Sequence, residues 1–165
     1  MRPGEMDRDA FVARFGPVFE HSPWIAGQAW DAGLRPDTAE GLHAALVAVL
    51  RDAPRERQLA LLNAHPDLAG KLAVRGELTT DSTAEQASAG LDRCTSAEFA
   101  RFTELNDAYK AKFGFPFILA VKGKSRAEIL EAFERRIHNT PDEEFATALA
   151  QVERIALLRL QDLLP

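Results

Sequence analysis

The sequence predicts an all-α, single-domain helical bundle of roughly seven to nine helices, and three observations carry that reading. Apolar residues recur at intervals of three and four along nearly the whole chain. Period-two alternation is almost absent, and the one strand-like run, Pro116 to Val121, has no second run to pair with. Capping signals punctuate the chain at helix-length intervals. At 165 residues the chain suits one domain over 1–165, and no Pro-, Gly- or Ser-rich tract marks a boundary.

The elements follow in order. Leu42, Ala45, Leu46, Val49 and Leu50 form one helical stripe. Leu59 and Leu62 belong to a short helix after Pro54, which should end at His65 because a residue before proline is pushed out of the α region. Phe99, Phe102, Leu105, Tyr109 and Phe113 line a third helix, stopped near Gly114. Ser125 with Glu128 forms a capping box leading into Ile129, Leu130, Phe133 and Ile137. Thr140, Pro141 and Glu143 open the longest helix, expected to run to about Leu164. His21, His43 and His65 are evenly spaced, but their neighbours do not match, so they define no repeat.

Composition narrows the function. A chain 46% hydrophobic and 27% charged is ordinary for a soluble protein, which argues against disorder and fibrous repeats. Twenty basic against 25 acidic residues give a net charge of −5, without the basic footprint a nucleic-acid partner requires. One or two local arginines could still bind a small anion. Cys94 is the single cysteine, which rules out an intrachain disulfide and a cysteine zinc site. The N-terminus lacks the apolar core of a secretory signal. The longest apolar runs, Ala44 to Leu50 and Phe115 to Val121, fall far short of a membrane span. The C-terminal LQDLLP carries no peroxisomal tripeptide. A cytoplasmic protein without a membrane partner is expected.

No HExxH, GxSxG, Walker loop or GxGxxG is present, so chemistry must come from polar residues in unusual places. His65-Pro66-Asp67 reads either as a helix stop, with Asp67 capping the next helix, or as a rigid turn presenting a general acid or base. Ser82-Thr83-Ala84-Glu85-Gln86 fits a capping box. It also fits a helix N-terminus that holds a polar ligand, with Glu85 and Gln86 as directional partners. Arg159 is the most informative residue. With Phe145 at zero and about 100° per residue, Val152, Ala156 and Leu163 fall within roughly 20°, while Arg159 falls about 40° away, inside the apolar stripe. Arg154 falls opposite and should be solvated. A guanidinium on a buried face needs an anionic partner, either an internal carboxylate or a substrate carboxylate gripped through two parallel hydrogen bonds. Phe113 to Ile118 is a helix terminator followed by an extended apolar segment, either loop core or a wall whose backbone reads a planar, urea-like ligand. Trp24 and Trp30 read as packing anchors and Cys94 as inert.

Four motifs, in this order, resemble one family: AHPDLAG at Ala64–Gly70, LTxxSxxEQxxAGL from Leu78 to Leu91, FGFPF at Phe113–Phe117, and the terminal ExIxxLRL that contains Arg159. The family is 2-oxo-4-hydroxy-4-carboxy-5-ureidoimidazoline (OHCU) decarboxylase, and the FGPVFEHSPW stretch looks like its bacterial members. The resemblance implies an all-helical homodimer without metal or organic cofactor, acting on OHCU to give (S)-allantoin and CO2. By motif match it implies His65 as proton donor, Glu85 orienting the substrate and Arg159 binding its anionic group. Substrate contacts are implied at Pro66, Ser82, Thr83, Ala84, Gln86, Phe117, Ile118, Leu119, Ala120 and Val121. One competing reading is a helical interaction module, in which Arg159 pairs internally and no pocket joins His65, Glu85 and FGFPF. Another, a metal hydrolase built on His65 and Asp67, is disfavoured because no second histidine lies at ligand spacing.

Overall fold

In the computed structural model, residues 1–70 and 76–164 are described. Among them are eight α-helices and no strand, so the all-α expectation holds. The chain forms two compact units: Met1–Ala64 with Val152–Pro165, and His65–Gln151.

The first unit begins with α1 (Arg8–Phe15), capped by Asp7, whose carboxylate accepts from Ala10 N at 2.8 Å. α2 (Trp24–Asp31) packs between α1 and α3 (Ala39–Asp52). The predicted stripe on α3 is real: Leu42, Leu46 and Leu50 are fully buried, each contributing about 1.5–3 kcal/mol of transfer free energy. α4 (Arg55–Ala64) stops immediately before His65, as the His-Pro step requires. Its buried residues are Leu61 and Leu62, whereas Leu59 is exposed. Trp24 and Trp30 are half-buried, and the guanidinium groups of Arg57 and Arg35 cover their rings at 4.6 and 4.5 Å. They are cation–π platforms at the surface more than core anchors.

The second unit contains α5 (Thr80–Ser88), α6 (Ser96–Phe113), α7 (Arg126–Arg136) and the start of α8 (Pro141–Leu163). Three of these helices open with reciprocal capping boxes: Thr95 with Glu98, Ser125 with Glu128, and Thr140 with Glu143. α6 ends at Gly114, which takes the left-handed conformation (φ 80°) open to a residue without Cβ. The core is aromatic. Phe117 and Phe133 stack with ring centroids 3.9 Å apart, and Tyr109 meets both edge-on. Phe102, Leu105 and Tyr109 are buried as the stripe requires, but Phe99 is exposed at the edge.

Candidate active site

His65 is buried, on an irregular turn between α4 and the residues that precede α5. Pro66 and Asp67 are half-buried beside it. The turn is tightly specified. Ala69 has φ 51°, a conformation that costs a residue bearing Cβ about 1–3 kcal/mol and persists only where the surroundings impose it. A Cβ on Gly70 would come within 2.6 Å of the Asp67 Cβ, so only glycine fits there. The Asp67 carboxylate accepts from Lys110 at 2.7 Å. The expected cap by Asp67 on a following helix falls on residues 71–75, outside the described residues.

The Ser82–Gln86 motif is not a capping box. α5 begins earlier: Thr79 is its N-cap, the Thr79 hydroxyl accepts from Ser82 N, and its carbonyl accepts from Thr83 N. Ser82 therefore stands in the first turn and Glu85 in the middle of the helix, so neither caps it. The helix N-terminus expected at Ser82 is displaced to Thr80. Ser82 and Gln86, one turn apart, are buried; Glu85 is half-buried, and Thr83 and Ala84 are exposed. The Gln86 side chain is directed to the turn at Asp67–Ala69. Its carbonyl oxygen accepts from Ala69 N at 3.0 Å, and its amide donates to Asp67 O at 3.2 Å.

Phe117, Ile118, Leu119, Ala120 and Val121 are all buried and extended. An extended segment without a neighbouring strand must satisfy its backbone elsewhere. Arg136 donates to Ile118 O at 2.7 Å, Gln151 accepts from Ala120 N at 2.9 Å, and Val121 O accepts from Lys124 N at 3.0 Å. The Arg136 guanidinium also lies 4.4 Å from the centroid of Phe117. Arg136 is held in turn by Glu144, at 3.0 Å, in a pair excluded from solvent. Tyr109 donates to the same carboxylate at 2.6 Å and Asn139 at 3.1 Å. Burial, then the bond to Glu144, pushes the Tyr109 hydroxyl far above its ordinary range, so it stays a proton donor. Phe115, Pro116 and Phe117 of the FGFPF motif are thus core, and two backbone groups of the segment that follows it are held by the buried Arg136 and the half-buried Gln151.

Arg159 belongs to the first unit. It is 5% exposed, as its place in the α8 stripe predicts, and Arg154 is exposed. Its guanidinium donates to the carboxylate of Glu20, itself 2% exposed, at 2.9 Å and to Pro17 O at 3.1 Å. An internal carboxylate therefore does meet Arg159.

The second unit also contains a cleft of about 650 Å³, lined by Thr83, Gln86 and Ala87 from α5 and by Leu91, Cys94 and Phe99 among others. This explains the exposure of Phe99. Burial pushes the Cys94 thiol up, consistent with an inert residue. Among the described residues no three His, Cys, Asp or Glu side chains form a metal-holding group.

Sequence reasoning missed several residues that organise these segments: Glu20, Asn106, Lys110, Arg136, Glu144 and Gln151. Asn106 is 3% exposed and donates to Leu68 O at 3.0 Å. The signal was present, because Phe102, Leu105, Asn106 and Tyr109 follow helical spacing, as do Ile129, Ala132, Phe133 and Arg136. The test that flagged Arg159 flags Asn106 and Arg136 as well.

Comparison with known proteins places these features in a family context. A family model described as OHCU decarboxylase matches residues 4–161. A Halalkalicoccus jeotgali protein named 2-oxo-4-hydroxy-4-carboxy-5-ureidoimidazoline decarboxylase is 46% identical over 160 residues, covering 96% of this chain and 88% of its own. A Mus musculus protein of the same name is 38% identical over 165 residues, covering 99% and 92%. The crystal structure of an (S)-allantoin synthase superposes with a TM-score of 0.76 at 33% identity, covering 96% of this chain. This chain spans 51% of that one. An OHCU decarboxylase crystallised in the presence of (S)-allantoin shares the fold, with a TM-score of 0.71 at 22% identity and coverage of 96% and 99%.

Proposed function

The chain belongs to the OHCU decarboxylase family, and from that premise we propose that it converts 2-oxo-4-hydroxy-4-carboxy-5-ureidoimidazoline to (S)-allantoin and CO2, the last step from urate to allantoin. The observation that carries this reading is the family match across residues 4–161. The reaction needs little beyond geometry and charge. The bond from C4 to the carboxylate breaks, its electron pair enters the adjacent C5=N imine, and CO2 leaves. The imine nitrogen gains one proton and C5 another while the C4 hydroxyl gives one up to become a carbonyl, a net uptake of one proton. The imine is its own electron sink, so no cofactor is required.

His65 delivers the C5 proton to one face, which sets the S configuration; its burial on a constrained turn supports the role. Glu85 orients the ureido and ring N–H groups from the middle of α5. Arg159 binds the substrate's anionic group, with Glu20 and Pro17 holding its planar fork. Pro66, Ser82, Thr83, Ala84 and the Phe117–Val121 segment contact the substrate, as the motif match supports. Gln86 borders the same region with its amide directed to the His65 turn.

Residues 1–165 act as one functional domain in a cytoplasmic homodimer of the bacterial type, a reading supported by the family resemblance and the FGPVFEHSPW stretch. None of the described helices is long and apolar enough to cross a membrane, and the net charge of −5 does not favour nucleic acid. The internal Glu20 partner favours a second reading of Arg159, as a purely structural ion pair.

The test generates the unstable ureidoimidazoline in situ from urate, then follows its loss by ultraviolet absorbance and the allantoin formed by circular dichroism. The protein should accelerate the decay and give the (S) signal; a rate no faster than the spontaneous one defeats the proposal. His65→Ala should lower turnover by about 10²–10⁴-fold and leave racemic product. Arg159→Lys keeps the charge but loses the fork, so a large loss of turnover supports substrate binding, whereas a near-normal rate makes the residue structural.

A further inference from the structure

The turn that carries His65 is braced by side chains from two helices. Asp67 O, Leu68 O and Ala69 N are each bound by a buried carboxamide: Gln86 from α5 takes the first and third, and Asn106 from α6 takes the second. One helical turn beyond Asn106, Lys110 grips the Asp67 carboxylate. Four hydrogen bonds of 2.7–3.2 Å therefore converge on three consecutive residues, one of which holds a left-handed conformation without being glycine. Asn106 does more than fill space. Its Oδ1 is buried with no hydrogen-bond partner among the described residues, so half of its amide is desolvated for no return. A leucine would fill a similar volume without that cost but would leave the buried Leu68 carbonyl without this donor. What the asparagine supplies is one directed N–H to Leu68 O.

We propose that Asn106 and Lys110, acting with Gln86, are positioning residues that lock the Pro66–Ala69 turn and so fix the direction of the His65 imidazole. The inference rests on the reading of His65 as the proton donor. Protonation of C5 on one face demands that the donor point from a single direction, and a small misplacement of a reacting group lowers turnover steeply. The clamp meets that demand through backbone groups, without touching the imidazole.

The experiment compares Asn106→Leu, Lys110→Met and the conservative Lys110→Arg with wild type and His65→Ala, using OHCU generated from urate. Asn106→Leu is expected to melt cooperatively yet lose about tenfold or more in kcat, with KM within about twofold and a reduced excess of (S)-allantoin. Lys110→Met should lose a smaller factor, and Lys110→Arg should recover it. Amide hydrogen exchange at Leu68 and Ala69 should accelerate in Asn106→Leu, a readout that does not depend on turnover.

Folded Asn106→Leu and Lys110→Met proteins with wild-type kcat, product excess and exchange would overturn the clamp while leaving the decarboxylase reading intact. If Asn106→Leu does not fold, the Lys110 pair decides, because the Asp67 bond is at the partly exposed edge of the turn. Wild type that fails to accelerate OHCU decay overturns the function and the positioning role together; accelerated exchange in Asn106→Leu would then mark the clamp as purely structural.

Discussion

Among the described residues, each compact unit encloses one arginine–glutamate pair in its interior, and the two pairs serve different ends. In the first unit Arg159 meets Glu20 at 2.9 Å, and its guanidinium also donates to the Pro17 carbonyl. In the second, Arg136 meets Glu144 at 3.0 Å inside a larger network. Tyr109 and Asn139 also donate to that carboxylate, and the guanidinium reaches on to Ile118 O and the face of Phe117. Arg136 supplies to an unpaired extended segment the donor that a neighbouring strand would supply in a sheet. One pair thus orients a guanidinium; the other satisfies a stretch of backbone. A buried charge pair is weak evidence for stability, and its value lies in what it positions.

The largest effect should come from dividing the second pair. Arg136→Met leaves Glu144 buried and charged, and should cost about 3–5 kcal/mol in denaturant unfolding. Adding Glu144→Gln removes the buried charge and keeps one acceptor oxygen, for Tyr109 or for Asn139 but not both, so it should return part of that loss. A smaller effect is expected in the first unit. Glu20→Gln keeps the shape and one acceptor, so about 1–3 kcal/mol should be lost. If Glu20 orients Arg159 toward substrate, turnover should fall further than the unfolded fraction explains. Equal losses of turnover and stability would make the two pairs alike.

The smallest effect concerns acid. Glu98, Glu128 and Glu143 sit below the ordinary glutamate range because backbone amides at Thr95, Ser125 and Thr140 donate to them, with Arg126 assisting at Glu98. Each folded value lies below the unfolded one. The contribution is therefore complete above the unfolded value and is lost as pH falls through the folded one. Between about pH 5 and about pH 2, exchange protection at the first turns of α6, α7 and α8 should fall before that of α3, which is capped by the Thr38 hydroxyl. Simultaneous loss in all four helices would show that the boxes do not set the order.

Much of the architecture was legible in the order of residues, and the errors are instructive. The stripe of α3, the stop at His65, the cap at Gly114 and two of the capping boxes stand where the spacing puts them. The box expected at Ser82 and Glu85 does not form because Thr79, three residues earlier, provides an equivalent hydroxyl and starts the helix first. Leu59 and Phe99 fit helical periodicity yet are exposed, Leu59 at the margin of its stripe and Phe99 at the wall of the cleft. Arg159 was found because a charge broke an apolar stripe. Asn106 and Arg136 break theirs in the same way, so the information was present, but it identifies a buried polar group and not the partner that satisfies it.

Local order alone decided the helical class and several helix ends, and it marked Arg159 as turning inward, because caps, proline sterics and a 3.6-residue period act over one or two turns of chain. The partners were settled only in three dimensions. Gln86 meets Ala69 across 17 positions, Asn106 meets Leu68 across 38 and Arg159 meets Glu20 across 139. Each such bond depends on where packing brings distant backbone and side chains together, and a buried donor takes whichever acceptor packing delivers.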